Sequence, residues 1–370
     1  CIRDRCHAGS TTRRGVVEDS IFDRLFELLQ TPGPVNWRLA DEVIKSVAGA
    51  PEPVEPAVSE EYSELTLAAE LLLSDIPGLT VPSAARMHPV DRATWAKENS
   101  QSFRYLVEPL AMKLSGDVGA SPLAMLGPAL LGMQAGSMVG FMAQRSLGQF
   151  DAGLPALDHA DRYLIVPNVE EFASENGLEV HQVRMWSVIR EVAHHAILDR
   201  DWYRAAFLKA VEDFFAGLEF DPSGMTDMLG SMQDPSQLEG LLEGPDAVAN
   251  LLGMKSDPQR LEALQAMIAI TEGFGDYVVA RAAAATLPDL EGLAEIAARR
   301  RAESHQGAEL LQQLAGLDLQ RHRARDAAEF AAAVATRWGD EALDKLWDSP
   351  EHLPTLAELT DPVGWAARVL

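Results

Sequence analysis

Apolar residues recur at helical spacing along most of this chain, and that period limits the possible folds more than any other feature. In 18–30, Ile21, Phe22, Leu25, Phe26, Leu28 and Leu29 form one apolar stripe. The same spacing predicts helices over 60–74, 91–114, 201–218 and 260–285, with further helices through Trp347. From Pro122 to Arg145 runs a Met-, Ala- and Gly-rich helix whose Gly132, Gly136 and Gly140 lie four apart. Its smooth face suits close packing against a neighbouring helix. Only Arg162–Asn168 departs from the helical period. It is a short run of β-branched and aromatic residues stopped at Pro167-Asn168, and it reads as a strand. The expected fold is mainly α with a small β element.

Composition narrows the partners. With 370 residues and 47% hydrophobic content, the chain can bury a large core without external staples. Its 31 basic and 56 acidic residues leave a net charge of −25, which repels phosphate backbones and anionic lipid, so neither nucleic acid nor a membrane is an expected partner. No apolar run approaches the ~18 residues of a membrane span. The two cysteines, Cys1 and Cys6, are confined to the start of the chain, and a reducing cytoplasm is the expected compartment. No pattern sets an oligomeric state.

Three regions are expected in order. Residues 1–15, polar and Arg-rich, read as a disordered tail. Residues 16–56 read as a small helical unit ending in a linker with Pro51, Pro53 and Pro56. Residues 57–370 form the mainly helical domain. Within it, the acidic stretch from Asp221 to Pro258, broken by Pro222, Pro235 and Pro245, reads as short helices and loops.

Chemistry concentrates in Arg184–Leu198. There Arg190-Glu-Val-Ala-His194 follows the spacing of the zinc-binding motif HExxH, in which two histidines one turn apart grip the metal and the glutamate polarises its water. Arg190 stands in the first histidine's place, and a guanidinium has no lone pair to give a cation. Glu191 remains as the candidate base and His194 as a candidate ligand. His195 points about 100° away around the helix. It is one candidate for the missing ligand, as are His181 and Asp276.

A second segment, Thr271-Glu-Gly-Phe-Gly-Asp-Tyr277, places Glu272 and Asp276 on one face of a helix. In zincins of the thermolysin type, a downstream helix gives a glutamate as third ligand and, one turn on, an acid that orients the first histidine. Glu272 and Asp276 fit those roles. With Arg190 present, Asp276 would instead meet a guanidinium and could form a charge-assisted pair in the metal's place. A plainer reading pairs Glu191 with His195 at i+4. Arg299-Arg-Arg301 reads as a solvated helix face or as a clamp for an anion.

Several motifs in order carry a likeness. They are Gly132-Met-Gln-Ala-Gly136, Leu147-Gly-Gln-Phe-Asp151, Ile165-Val-Pro-Asn168, Trp186–His195, Glu272-Gly273, Leu314-Ala-Gly-Leu-Asp318 and Trp347–Pro354. Through these the chain resembles a bacterial zincin-like hydrolase family labelled zinc-dependent metalloprotease, over roughly residues 121–370. The resemblance implies a zincin-like helical metallopeptidase fold, one zinc ion, and a peptide or small-molecule substrate. Zinc would be held by His194 and Glu272 with His195, with Glu191 catalytic and Asp276 and Arg190 behind them. Arg190 and Phe274 depart from the family pattern. Two functions follow: a metallohydrolase with an altered metal site, or a catalytically inactive homologue with an interaction or regulatory role.

Overall fold

The structure is a computed structural model that describes residues 33–82, 85–117, 122–151, 161–219, 255–303 and 322–370. The expected tail, the helix over 18–30 and the loops of 221–254 lie outside the described residues, as does Leu314–Asp318. The described chain is mainly helical, with one small sheet.

Two helices open it, α1 (Trp37–Ala48) and α2 (Pro56–Ser74), followed by strand β1 (Met87–Val90). Next come α3 (Arg92–Asn99), a 3-10 turn, α4 (Arg104–Asp117) and α5 (Pro122–Arg145). Strand β2 (Arg162–Ile165) runs directly into α6 (Val166–Glu175). Pro167 explains the switch, because its fixed φ and missing N–H suit a helix's first turn. The strand therefore ends three residues before Asn168. β1 pairs with β2 in parallel, Met87 opposite Arg162 and Val90 opposite Ile165. Beyond β2, Gly148 makes an antiparallel bridge to Leu164, drawing the 147–151 loop alongside the sheet.

At the centre lies α7 (Val180–Leu198), whose residues from Met185 to Leu198 are all buried. Glu179 caps its start by accepting from the backbone N–H groups of His181 and Gln182. Around it pack α2, α6, α8 (Asp201–Ala216), the sheet and the long α9 (Pro258–Ala283). Asp257 caps α9, and Pro258 occupies its first turn. α10 (Leu290–Glu303), α11 (His322–Trp338), α12 (Asp340–Lys345) and α13 (Pro362–Val369) complete the described chain.

The glycine face of α5 meets α1. A Cβ on Gly132 would sit 2.3 Å from the Asn36 carbonyl oxygen, and one on Gly136 2.5 Å from that of Ala40. Only glycine permits this approach. Among the described residues, no helix is long and apolar enough to cross a membrane.

Candidate functional site

Two helices and one loop bring the chemistry together. α7 presents Arg190, Glu191 and His194 on its buried side, and α9 crosses it with Glu272 and Asp276 one turn apart. The 147–151 loop, pinned to the sheet by the Ile165 N–H donating to the Leu147 carbonyl at 2.8 Å, adds Phe150 and Asp151.

Arg190 is 2% exposed and forks across two carboxylates. Its Nη1 donates to Asp276 Oδ1 at 2.6 Å and its Nη2 to Glu272 Oε2 at 2.7 Å. Asp151 Oδ1 lies 3.9 Å from Nε. Burial alone would weaken the guanidinium's hold on its proton, but Glu272, Asp276 and Asp151 more than offset this and its pKa is raised. The cation is permanent.

His194 is fully buried. Its Nδ1 lies 2.9 Å from the Arg190 carbonyl oxygen, which assigns the proton to Nδ1 and the lone pair to Nε2. Nε2 has no hydrogen-bond partner and sits 3.6 Å from Glu272 Oε1. Burial, reinforced by Arg190, lowers the imidazole's pKa to about 4, so the ring is neutral at pH 7. A Cβ on Gly275 would lie 2.4 Å from His194 Cε1, so α9 needs glycine where it passes the ring.

Glu191 faces the loop. Oε1 accepts from the Phe150 N–H at 3.3 Å, while Oε2 is buried without a partner. Burial pushes its pKa up to about 8, despite that bond and the nearby Arg190. At neutral pH it is a carboxylic acid. A Cβ on Gly148 would lie 2.1 Å from Oε1, so the loop's approach also depends on a glycine.

His195 turns to a different partner. Its Nδ1 accepts from Arg162 Nε at 3.4 Å, and Arg162, itself buried, donates to Glu70 Oε1 at 2.7 Å and to the Pro82 carbonyl at 3.0 Å. Glu191 and His195 therefore take separate partners. Phe274 lies off the cluster, packed edge-on against Trp347 with centroids 4.8 Å apart. His181 pairs with Glu61 at 2.8 Å on the surface.

A zinc ion requires about three lone-pair ligands converging at roughly 2.0–2.3 Å. Here a guanidinium lies between the acids of α9, and His194 and Glu272 are the two ligand types left facing each other. Among the described residues, no group of three or more His, Cys, Asp or Glu side chains could hold a metal ion. The described residues do not fit the ion.

Three contributors carry no periodic signature. Asp151 and Phe150 come from a loop, and Arg300 on α10 reaches Asp151 Oδ2 at 3.3 Å. Of the Arg299–Arg301 run, Arg300 thus clamps a carboxylate of the chain itself. Beside the cluster opens a cleft of about 940 Å³ between α9, α10 and α11, with Asp151, Glu272 and Asp276 on its wall.

Residues 35–366, which include every member of this cluster, match the zincin-like metallopeptidase family. Among solved structures, the chain is similar to a candidate hydrolase with a novel fold from Chloroflexus aurantiacus. The two are 24% identical with a TM-score of 0.67, over 90% of this chain and 98% of that one. At that identity the likeness concerns the fold alone. No curated protein matches the chain.

Proposed function

This chain belongs to the zincin-like metallopeptidase family, and from that premise we propose that it is a member whose metal centre has become an arginine–carboxylate cluster, leaving its cleft to bind a ligand without zinc-assisted hydrolysis. One observation carries the reading: the Arg190 guanidinium donates at 2.6 and 2.7 Å to Asp276 and Glu272, the carboxylates the family pattern reserves for the metal and its orienting acid. A fixed cation there satisfies both acids without an ion. In this reading His195 is held by Arg162 and serves the fold.

A second reading, a working metallohydrolase with an altered site, has one observation in its favour. His194 holds its proton on Nδ1 and directs an unpartnered lone pair toward Glu272, the tautomer a metal ligand requires. One measurement separates the two. In protein purified without chelator, the first reading expects well below one zinc per wild-type chain and about one in Arg190→His. That zinc should vanish when His194→Ala is added. One zinc per wild-type chain, lost in His194→Ala alone, would establish the hydrolase instead.

A further inference from the structure

Apolar walls and charges paired within the chain set the character of the cleft beside the cluster. Three helices enclose it, with Ala280 and Ala284 on α9, Ala294 and Ala298 on α10, and Ala328 and Ala332 on α11. These short side chains hold the space open, and apart from half-buried Ala328 all of them are exposed. The lining is mostly apolar, and the cleft's volume of about 940 Å³ lies in the range of small-molecule sites, roughly 300–1,000 Å³. Apolar surface kept in contact with water gains when an apolar molecule covers it.

The charged groups on these walls already have partners. Glu272 and Asp276 accept from Arg190 at 2.7 and 2.6 Å. Asp151 Oδ2 accepts from the Leu147 N–H at 3.0 Å and from Arg300 at 3.3 Å. Arg325 donates to Glu329 at 2.8 Å. The remaining described wall charge, Glu291, is exposed in the first turn of α10, where water and the helix's free N–H groups stabilise a carboxylate. An incoming ammonium would have to draw a carboxylate away from its guanidinium, and an incoming carboxylate would have to draw Arg325 away from Glu329. The net charge of −25 opposes the anion further. A neutral molecule meets neither cost.

Resting on the reading of the site as zinc-free, in which Arg190 neutralises the acids of α9, we propose that this cleft binds a neutral apolar small molecule. Its hydrocarbon body lies along the alanine walls of α9, α10 and α11, and any polar group it carries is uncharged and turned toward water.

The test is calorimetric titration at pH 7 of protein whose zinc content has been measured, with 1-octanol, octylammonium and octanoate as probes that share one alkyl stem and differ in charge. 1-Octanol should bind at one per chain and at least severalfold tighter than either ion. Each methylene added to the alcohol should strengthen binding about two- to fourfold. Ala280 and Ala332 are both exposed in the cleft, so Ala280→Leu with Ala332→Leu fills it from two walls without touching the core. That double variant should keep the wild-type thermal midpoint and lose about tenfold in affinity for 1-octanol. Glu291→Gln should leave the affinity for 1-octanol unchanged, because a neutral ligand draws on no wall charge.

Either ion binding as tightly as 1-octanol would overturn the proposal, as would binding of no probe or an affinity unmoved by the leucines. One zinc per wild-type chain would overturn it together with the zinc-free reading, since Arg190 would no longer hold the acids. A zinc-free protein that prefers an ion would overturn the neutral ligand alone.

Discussion

Arg190 is the residue on which the site turns, because it is a buried charge whose neutralisation depends on two acids from another helix. Buried ion pairs of this kind are poor net stabilisers, yet breaking one is costly, since the partners are left as uncompensated buried charge. Arg190→Met keeps the volume and removes the charge, leaving Glu272 and Asp276 facing each other. Urea unfolding should show a loss of about 3–5 kcal/mol. Arg190→Lys should recover only part of it, since one ammonium cannot reproduce the fork to both carboxylates. A loss below about 1 kcal/mol in Arg190→Met would mean the acids do not depend on the guanidinium.

Glu191 and His194 give the site a pH signature. Folding raises the Glu191 pKa from 4.5 to about 8, so between those values the native state binds a proton that the unfolded chain does not. Stability therefore falls as pH rises through that window. Folding lowers the His194 pKa from 6.5 to about 4, so there the unfolded chain binds the extra proton and stability rises with pH. The slopes oppose each other where the windows overlap, and above 6.5 only the glutamate's remains. Between pH 6.5 and 8, the wild type should lose roughly 1–2 kcal/mol that Glu191→Gln does not lose. Denaturant midpoints of both proteins at the two pH values measure it, and parallel changes would refute the assignment.

At the scale of elements, the α1–α5 contact sets two effects of opposite sign against each other. Alanine at a helical glycine usually stabilises by about 1 kcal/mol through propensity. At Gly136, however, the new Cβ would meet the Ala40 oxygen at 2.5 Å and its Cα at 3.0 Å, both backbone atoms that cannot step aside alone. The clash wins. Gly136→Ala should lower the thermal midpoint through a net cost of about 1–3 kcal/mol, and an unchanged or higher midpoint would show that the helices do not approach this closely. This interface was legible in the sequence, because glycines four apart on a long helix announce a close neighbour, although not which one. α9 was legible through its apolar period, whereas α7, buried all round from Met185 to Leu198, was legible through the HExxH-like spacing of Arg190–His194. β1 was not. It is four residues long and contains Pro89, which weakens a strand signal, and its parallel partner lies beyond three intervening described helices, where no local pattern can signal the pairing. The true end of β2 was hidden too, since Pro167 stops a strand and starts a helix equally well.

For the whole molecule, spacing on α7 and α9 was enough to bring Arg190, His194, Glu272 and Asp276 together, while Asp151, Phe150, Arg162 and Arg300 lay in segments whose local patterns did not tie them to this site. Those four reach the site from a loop, a sheet and a distant helix, so only tertiary folding brings them near. Charge behaves differently, being readable in full from composition and acting on the whole chain at once. A net charge of −25 opposes compaction. Raising salt from about 0.05 to 0.5 M shortens the screening length from over 10 Å to under 8 Å and damps that repulsion. Salt also weakens exposed ion pairs such as Lys209–Asp213 at 2.7 Å, but such pairs contribute only about 0–1 kcal/mol each. Repulsion among the excess acids should dominate, so the wild-type thermal midpoint should rise by several degrees over that range. Arg190, at 2% exposure, and Glu272, at 12%, lie where mobile ions barely reach, and Asp276, at 35%, is the partner open to screening, so the cost of Arg190→Met should fall by no more than about 0.5 kcal/mol. Calorimetric scans of both proteins at low and high salt decide this. A flat or falling wild-type midpoint would mean that exposed ion pairs, not the acidic excess, govern stability, and a larger fall in the Arg190→Met cost would mean that the cluster is open to solvent.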